Sequence, residues 1–470
     1  MKCAGRGLLW SGLITALVLI GCASQPLTAG AGKSAPGGIN IPIEYFKLGN
    51  GLKVVLARDS SAPTVTVGVY YQIGMRIEPH DRTGFAHLFE HLMFQGSTNL
   101  GKMEFVRLVE SNGGVFNGST RLDFTNFFEI VPAHTLETIL WAEADRMRGL
   151  AITQENLTNQ QGVVKNEVND NVLNQPYGGF PWLSMPQLAN ENWYNAHNFY
   201  GDLAHIDAAT LEDARAFFDT YYAPNNAVLV VAGDFEPVQA RAWIEKYFAA
   251  LTARAQPPRP DISEPAQLAG KRKSYVDPLA PRPALAVAWH VPERGTADLY
   301  AFGLLDQILL QGEDSALWQK LVQERGYSGG IGGGINLLGN MFNYDGPMLW
   351  TVYMVHDPAV APDTILADVD AEIARLKTAP PTPAELDRAL TKIRAELYDL
   401  AGASDHFGLV DLLASFALFD DDPTLINRIE SEFRSIKPEM ISDVARRFLQ
   451  DSQKSVLIVE PGKAAAGAQP

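Results

Sequence analysis

Only two cysteines occur in the 470 residues, Cys3 and Cys22. Both fall in the leading segment, so the body of the chain has no disulfide, no thiolate zinc site and no cysteine nucleophile, and must stand on its core alone. Positive charge is also in short supply: 38 Lys and Arg face 54 Asp and Glu, a formal net charge of −16, which argues against nucleic acid as a partner. Long apolar runs are missing as well. The most apolar stretch, residues 8–20, falls short of the roughly 20 residues that span a bilayer stably. What remains is ordinary globular material, 46% hydrophobic and 20% charged, enough for two or three domains with full cores.

The chain opens "MKCAGRGLLWSGLITALVLIGCAS". Lys2 and Arg6 followed by the short apolar core read as a secretory signal over residues 1–21. Its end, Leu19-Ile20-Gly21-Cys22, resembles the lipobox of bacterial lipoproteins, which implies cleavage before Cys22 and lipidation of its thiol and amine. An ordinary signal peptide ending near a cysteine is the alternative. With Ala23 next, the expected location is the cell envelope, anchored on the periplasmic face of the outer membrane, because several acyl chains hold stably where one is marginal. Residues 22–41, rich in Gly and Pro, form a flexible tether.

Strand-like runs follow at 52–57, 64–74, 114–120 and 124–131, with helix-like patterns at 82–95, 102–111, 134–149 and 153–172. A strand near 223–235 and an amphipathic helix to about 250 complete a domain over 42–251. Prolines break the chain at 252–272, taken as a linker. The order then restarts over 273–462 with a strand at 284–291, helices at 297–310 and 314–324, and a strand at 455–460, leaving 463–470 as a tail. Direct comparison supports a repeat. "FAHLFEHLMFQG" (85–96) aligns with "FGLLDQILL-QG" (302–312), and "NNAVLVVAGD" with "QKSVLIVEPG". His87, Glu90 and His91 then face Leu304, Gln307 and Ile308, so only the first copy carries the polar triplet.

That triplet sits in "HLFEH", 87–91. At about 3.6 residues per turn, His87 and His91 share one helical face and can each give an imidazole nitrogen to one ion, with Glu90 beside them as general base toward water. A catalytic zinc needs three protein ligands and an open position, so a third ligand is required. Leaving two histidines and a carboxylate among Phe85, Leu88, Phe89, Leu92 and Phe94 without an ion would cost their desolvation.

The run "GMRIEPHDRTGFAHLFEHLMFQGS" resembles the signature of the insulinase/pitrilysin zinc peptidases, the group that includes mitochondrial processing peptidase. "GGVFNGSTRLDFTNFFEIVP" and "HIDAATLEDARAFFDTYYAPNNAVLVVAGDF" extend the likeness across residues 42–460. The resemblance implies an α+β fold of two homologous αβ halves, each a mixed sheet with packed helices, closing as a clamshell around a chamber. It further implies one Zn²⁺ held by His87, His91 and Glu167, with Glu90 as the catalytic base. Substrate would be added as a strand beside "GGVFNGST", with Phe116 and Asn117 as contacts; Asn117 reads equally as a turn residue. Gln160 stands where the family has a glutamate that supports the third ligand.

The second half departs from the family pattern. Active members place an arginine and a tyrosine seven apart in a sequence like "LREKRGLAYS"; "LVQERGYSGG" has Val322 and Gly329 there, with Arg325 and Tyr327 only two apart. The expected function is a periplasmic zinc endopeptidase whose oxyanion donors come from a related subunit, or from a second copy. The alternative is a peptide-binding or assembly subunit with a vestigial zinc site. "GGIGGGI" (329–335) lacks the Lys and Ser/Thr of a phosphate loop and reads as a strand or loop facing the chamber. The other seven histidines are expected on the surface or satisfied in the core, and "DHFGLVDLLASFALFDDDP" (405–423) as a packed element of the second half.

Overall fold

The computed structural model describes residues 38–462; Cys22 and most of the tether lie outside them. Eleven strands form two sheets. The first half supplies β1 (Glu44–Lys47), β2 (Lys53–Arg58), β3 (Thr64–Tyr71), β4 (Val115–Thr120), β5 (Thr125–Pro132) and β6 (Ala227–Gly233). The second supplies β7 (Lys271–Asp277), β8 (Ala284–His290), β9 (Gly332–Ile335), β10 (Leu349–Val355) and β11 (Ser455–Pro461).

Sheet order carries the internal repeat. The first sheet runs β1-β2-β6-β3-β5-β4 and the second β7-β11-β8-β10-β9. Once β1 is removed, the orders match position by position, and so do the directions: β2–β6 and β7–β11 are parallel, all other pairs antiparallel. The two copies aligned from sequence, β6 and β11, hold the same place.

Helices that matter for the site are α1 (Phe85–Leu92), α2 (Gln154–Val168), α3 (Ser184–Ala189), α4 (Ala297–Leu309), α5 (Pro383–Gly402) and α6 (Phe407–Phe419). Thr153 and Thr382 cap α2 and α5, each accepting from the backbone N–H three residues on. Between α4 and β9 the expected 314–324 helix appears as a wider π-type helix, Trp318–Glu324. Among the described residues no helix is long and apolar enough to cross a membrane.

The segment 405–423 packs within the second half as expected, and further than that. Its helix, α6, lies against α5 and also on β2, β3 and β6 of the first sheet. The alternation of β3 explains why a cover is needed: Val65, Val67, Val69 and Tyr71 enter the first half's own core, while Thr66, Gly68 and Tyr70 face the other way. β6 does the same, with Leu229 and Val231 inward and Val228 and Val230 toward α6. Two buried faces need two apolar partners, and α6 is apolar all round. Polar contacts lock the fit: Tyr70 donates to Asp411 (3.2 Å), Lys53 Nζ to Ala417 O (2.7 Å), Thr66 to Asp405 O, and buried His406 pairs with Asp59 (3.1 Å). The exchange is reciprocal. α3, from the first half, covers β7, β8 and β11, where Ala284, Ala286 and Ala288 leave room for Phe180 and Met185.

Gly68 is the tightest point of this contact, because a Cβ there would lie 2.6 Å from Val410 Cγ1 on α6. Gly68→Ala is expected to destabilise by about 1–3 kcal/mol through overpacking. The double variant Gly68→Ala/Val410→Ala should cost less than the sum of the single ones, a coupling read from chemical denaturation.

Candidate metal centre

α1 begins abruptly. Gly84 has φ 84°, and a Cβ on it would meet Tyr200 O at 2.6 Å; Gly201, φ 72°, lies equally close to the Gly84 backbone. This contact of two glycines sets Tyr200 beside α1, its ring 5.1 Å from that of His87. No side chain from the helix's own N-cap satisfies the first N–H groups. Glu78, wholly buried, does so instead, accepting from Gly84 N (2.8 Å) and Ala86 N (2.6 Å). Burial pushes its carboxyl up to about 8, against those two N–H groups and His87, which lower it. Glu78 was not among the residues singled out from sequence, although an acid shortly before a glycine-started helix is a legible signal.

On α1, His87 is buried and His91 half-buried. α2 packs against α1 and brings Glu167 to them. His87 Nε2 and His91 Nε2 are 3.3 Å apart, His91 Nε2 is 3.2 Å from Glu167 Oε2, and His87 Nε2 is 3.6 Å from Glu167 Oε1. The two imidazole nitrogens lie at the spacing of zinc ligands, and each approaches a different oxygen of the Glu167 carboxylate. Zinc bonds of about 2.0–2.2 Å at tetrahedral angles put ligand atoms roughly 3.3–3.6 Å apart. These are the only described residues grouped closely enough to hold an ion, one ligand atom from each lying within 4.8 Å of the others.

Charge points the same way. Burial disfavours protonated His87, yet Glu167, Glu90 and Glu78 together raise its proton affinity. Burial likewise pushes the Glu167 carboxyl up, and the hydrogen bonds and charge of His87 and His91 overcome it and hold the carboxyl well below the usual range. Glu90 and Glu167 beside two imidazoles make a donor set that favours a cation, while burial holds Glu78 toward its neutral form. His87 Nδ1 is buried without a hydrogen-bond partner among the described residues, so its ring is oriented by packing rather than by an acceptor.

Glu90 faces the opposite wall. Thr120 at the end of β4 donates to Glu90 Oε2 (2.7 Å), and Gly118 leaves space under the Glu90 stem, where a Cβ would lie 3.3 Å from Cγ. Thr120, like Tyr200, was missed in the sequence because its role depends on the register of β4 against α1. β4 is the sheet edge. On it, Phe116 packs on Phe94 (5.3 Å between rings) and Asn117 is exposed, its Oδ1 accepting from Gly118 N. Gln160 is buried on α2, two turns before Glu167, but donates to Asn159 rather than to any of the three ligand candidates.

In the second half, α4 and α5 hold the corresponding places. Leu304 and Ile308 are buried apolar residues there, and Gln307 Nε2 lies 3.4 Å from Oε2 of Glu396, which follows the α5 cap by the same interval as Glu167 follows that of α2. A polar cavity of about 470 Å³ remains between α4, α5 and β9. Arg325 and Tyr327 are both engaged elsewhere: the guanidinium donates to Asp368 through Nε and Nη2 (3.1 Å each), and the phenol to the same carboxylate (2.9 Å). At Gly329 a Cβ would meet nothing within 4 Å.

Comparisons with known proteins place the chain in a family. The profile "Insulinase (Peptidase family M16)" matches residues 53–186, and "Peptidase M16 inactive domain" matches 208–393. The chain belongs to the insulinase family of peptidases. Zinc protease PqqE of Helicobacter pylori is 26% identical over 89% of this chain and 93% of its own length. The beta subunit of the bovine mitochondrial-processing peptidase is 24% identical over 90% and 85%. A crystal structure of a protease from Helicobacter pylori superposes with a TM-score of 0.83 at 24% identity, covering 90% of this chain and all of the other. A peptidase M16 inactive domain from Pseudomonas fluorescens follows at 0.78 and 17%, covering 91% and all of the other. The two-halved clamshell fold is thus that of the family.

Purified protein is expected to bind one zinc ion per chain by elemental analysis, and His91→Ala to bind none. Glu78→Gln, which sets an amide N–H against a backbone N–H at the start of α1, should lower zinc affinity by about 10–100-fold in a chelator competition.

Proposed function

We propose that the protein is a zinc-dependent endopeptidase that hydrolyses peptides or unfolded segments within its chamber. The observation that carries this is the close grouping of His87, His91 and Glu167, with Glu90 on the helix of the two histidines. Zinc, when bound, supplies a Lewis acid that polarises a peptide carbonyl and acidifies water. Glu90, steadied by Thr120, takes the proton from the attacking water and returns it to the leaving amine. An extended peptide laid along the open edge of β4 gains main-chain hydrogen bonds without regard to its sequence. Asn117 is exposed on that edge to meet it.

The oxyanion needs donors that this chain does not offer from its second half, since Val322 and Gly329 carry none and Arg325 and Tyr327 are bound to Asp368. A related subunit supplies them. The printed name of the bovine relative, a subunit, supports such pairing. The lipobox-like end of the leading segment supports a lipid anchor at Cys22 and a place on the periplasmic face of the outer membrane. The same missing donors favour a second reading, a peptide-binding or assembly subunit whose zinc site does no chemistry.

Glu90→Gln separates the two. It is expected to keep zinc and the unfolding midpoint while lowering peptide hydrolysis by at least about 10³-fold in the presence of the related chain. A cellular role untouched by this substitution would establish the binding reading instead.

A further inference from the structure

A hollow opens between the two halves close to the metal centre. Leu122, Trp182, Met185, Leu338 and Met348 line it, with Arg76 among them. Its walls are mostly apolar. Arg76 is fully buried, its Nε 2.9 Å from Asp123 and its Nη1 donating to Asn195 Oδ1 and Pro347 O, both at 2.8 Å. Asn195 in turn donates to Ile262 O (2.8 Å) and Glu264 (2.7 Å). With these two groups engaged by the protein, an apolar guest is favoured, and the guanidinium charge works against a cationic one. Free space amounts to about 50 Å³. At roughly 10–15 Å³ for each water-sized group, that admits about four heavy atoms, as many as a leucine or methionine side chain contains.

The hollow is linked to the site by packed side chains. Leu122, Trp182 and Leu338 belong to one apolar cluster with Tyr200. The Trp182 ring is 5.8 Å from that of Tyr200, which is 5.1 Å from His87. Leu122 stands in the turn just beyond Thr120, so a strand laid along β4 past Glu90 is led toward it. The two ring steps place Trp182 no more than about 11 Å from His87, and an extended chain advancing about 3.3 Å per residue covers that in about three residues.

We propose that this hollow receives one apolar side chain of the peptide, about three residues from the bond to be cut, and selects leucine- or methionine-sized groups over charged ones. It rests on the peptidase reading and deepens it by naming a preference. Because the walls come from both halves, the pocket exists only where they meet, and it tests the substrate at the place where the clamshell is sewn together.

The test uses the zinc-loaded full chain carrying Glu90→Gln and fluorescein-labelled decapeptides that differ at a single position, Leu, Ala or Lys, with Phe added for the widened variant, moved along an alanine-serine frame. Fluorescence anisotropy is expected to show, for one placement, leucine bound about tenfold more tightly than alanine, and lysine more weakly than either. In Leu338→Trp, which fills the hollow, the leucine-to-alanine ratio should collapse to about one. In Trp182→Ala, which widens it, the preference should move to phenylalanine. Equal affinity for all three residues at every placement overturns the proposal, as does a leucine preference that survives Leu338→Trp. The two readings fail separately: selective binding by a protein that cleaves nothing with its related chain removes the peptidase, and cleavage without selectivity removes the pocket.

Discussion

The first half is built around one electrostatic problem, which is how to keep two imidazoles and the carboxyl groups of Glu78, Glu90 and Glu167 together in a largely dehydrated space. Among the described residues no lysine or arginine side chain is hydrogen-bonded or ion-paired to these acids, and burial pushes Glu78 toward its neutral form. A divalent cation would suit this donor set, in which His87, His91 and Glu167 lie close together. The surrounding scaffold can be understood as what holds this collection in place. Glu78 binds the start of α1, the packing of Gly84 against Gly201 fixes its approach, and Thr120 hydrogen-bonds Glu90, which stands apart from the other three.

The second half shows the same scaffold relieved of the problem. With Leu304 and Ile308 in place of the histidines, the remaining Gln307 and Glu396 contact one another beside water-accessible space, and no ion is needed to balance them. Burial alone pushes Glu396 upward, toward a neutral carboxylic acid. One architecture therefore serves two electrostatic states, and four or five side chains determine which is present. This is what a duplicated fold affords when chemistry resides in a few residues grafted on a tolerant frame.

Local sequence made part of this legible. Helical spacing put His87 and His91 on one face, and the alignment of residues 85–96 with 302–312 recovered a symmetry that the strand orders display in full. Several single histidines lie as expected: His205 meets Thr83, His290 meets Asn190, His197 bonds Met75 O and His134 is exposed, whereas buried His356 and His406 each leave one ring nitrogen without a partner among the described residues. What escaped the sequence were partnerships across long separations. That Phe407–Phe419 is buried on all sides is written in its composition, yet nothing in composition says which sheet it covers. Arg325 and Tyr327 could be noticed as neighbours, but their shared acceptor, Asp368, lies on another helix. Gln160 kept the spacing of a supporting residue while its amide turned to Asn159.

The crossing of helices between halves bears on how the molecule is made. Hydrogen bonds from Thr66 and Tyr70 to the start of α6 join residues more than 300 positions apart. Until the ribosome has released Phe419, β3 and β6 present a bare apolar face to water, and the nascent first half is an unfinished sandwich. Closing such a long loop is slow, and exposed strands in the interval invite aggregation, so a chaperone that shields this surface during synthesis or export would act on an intermediate dictated by topology.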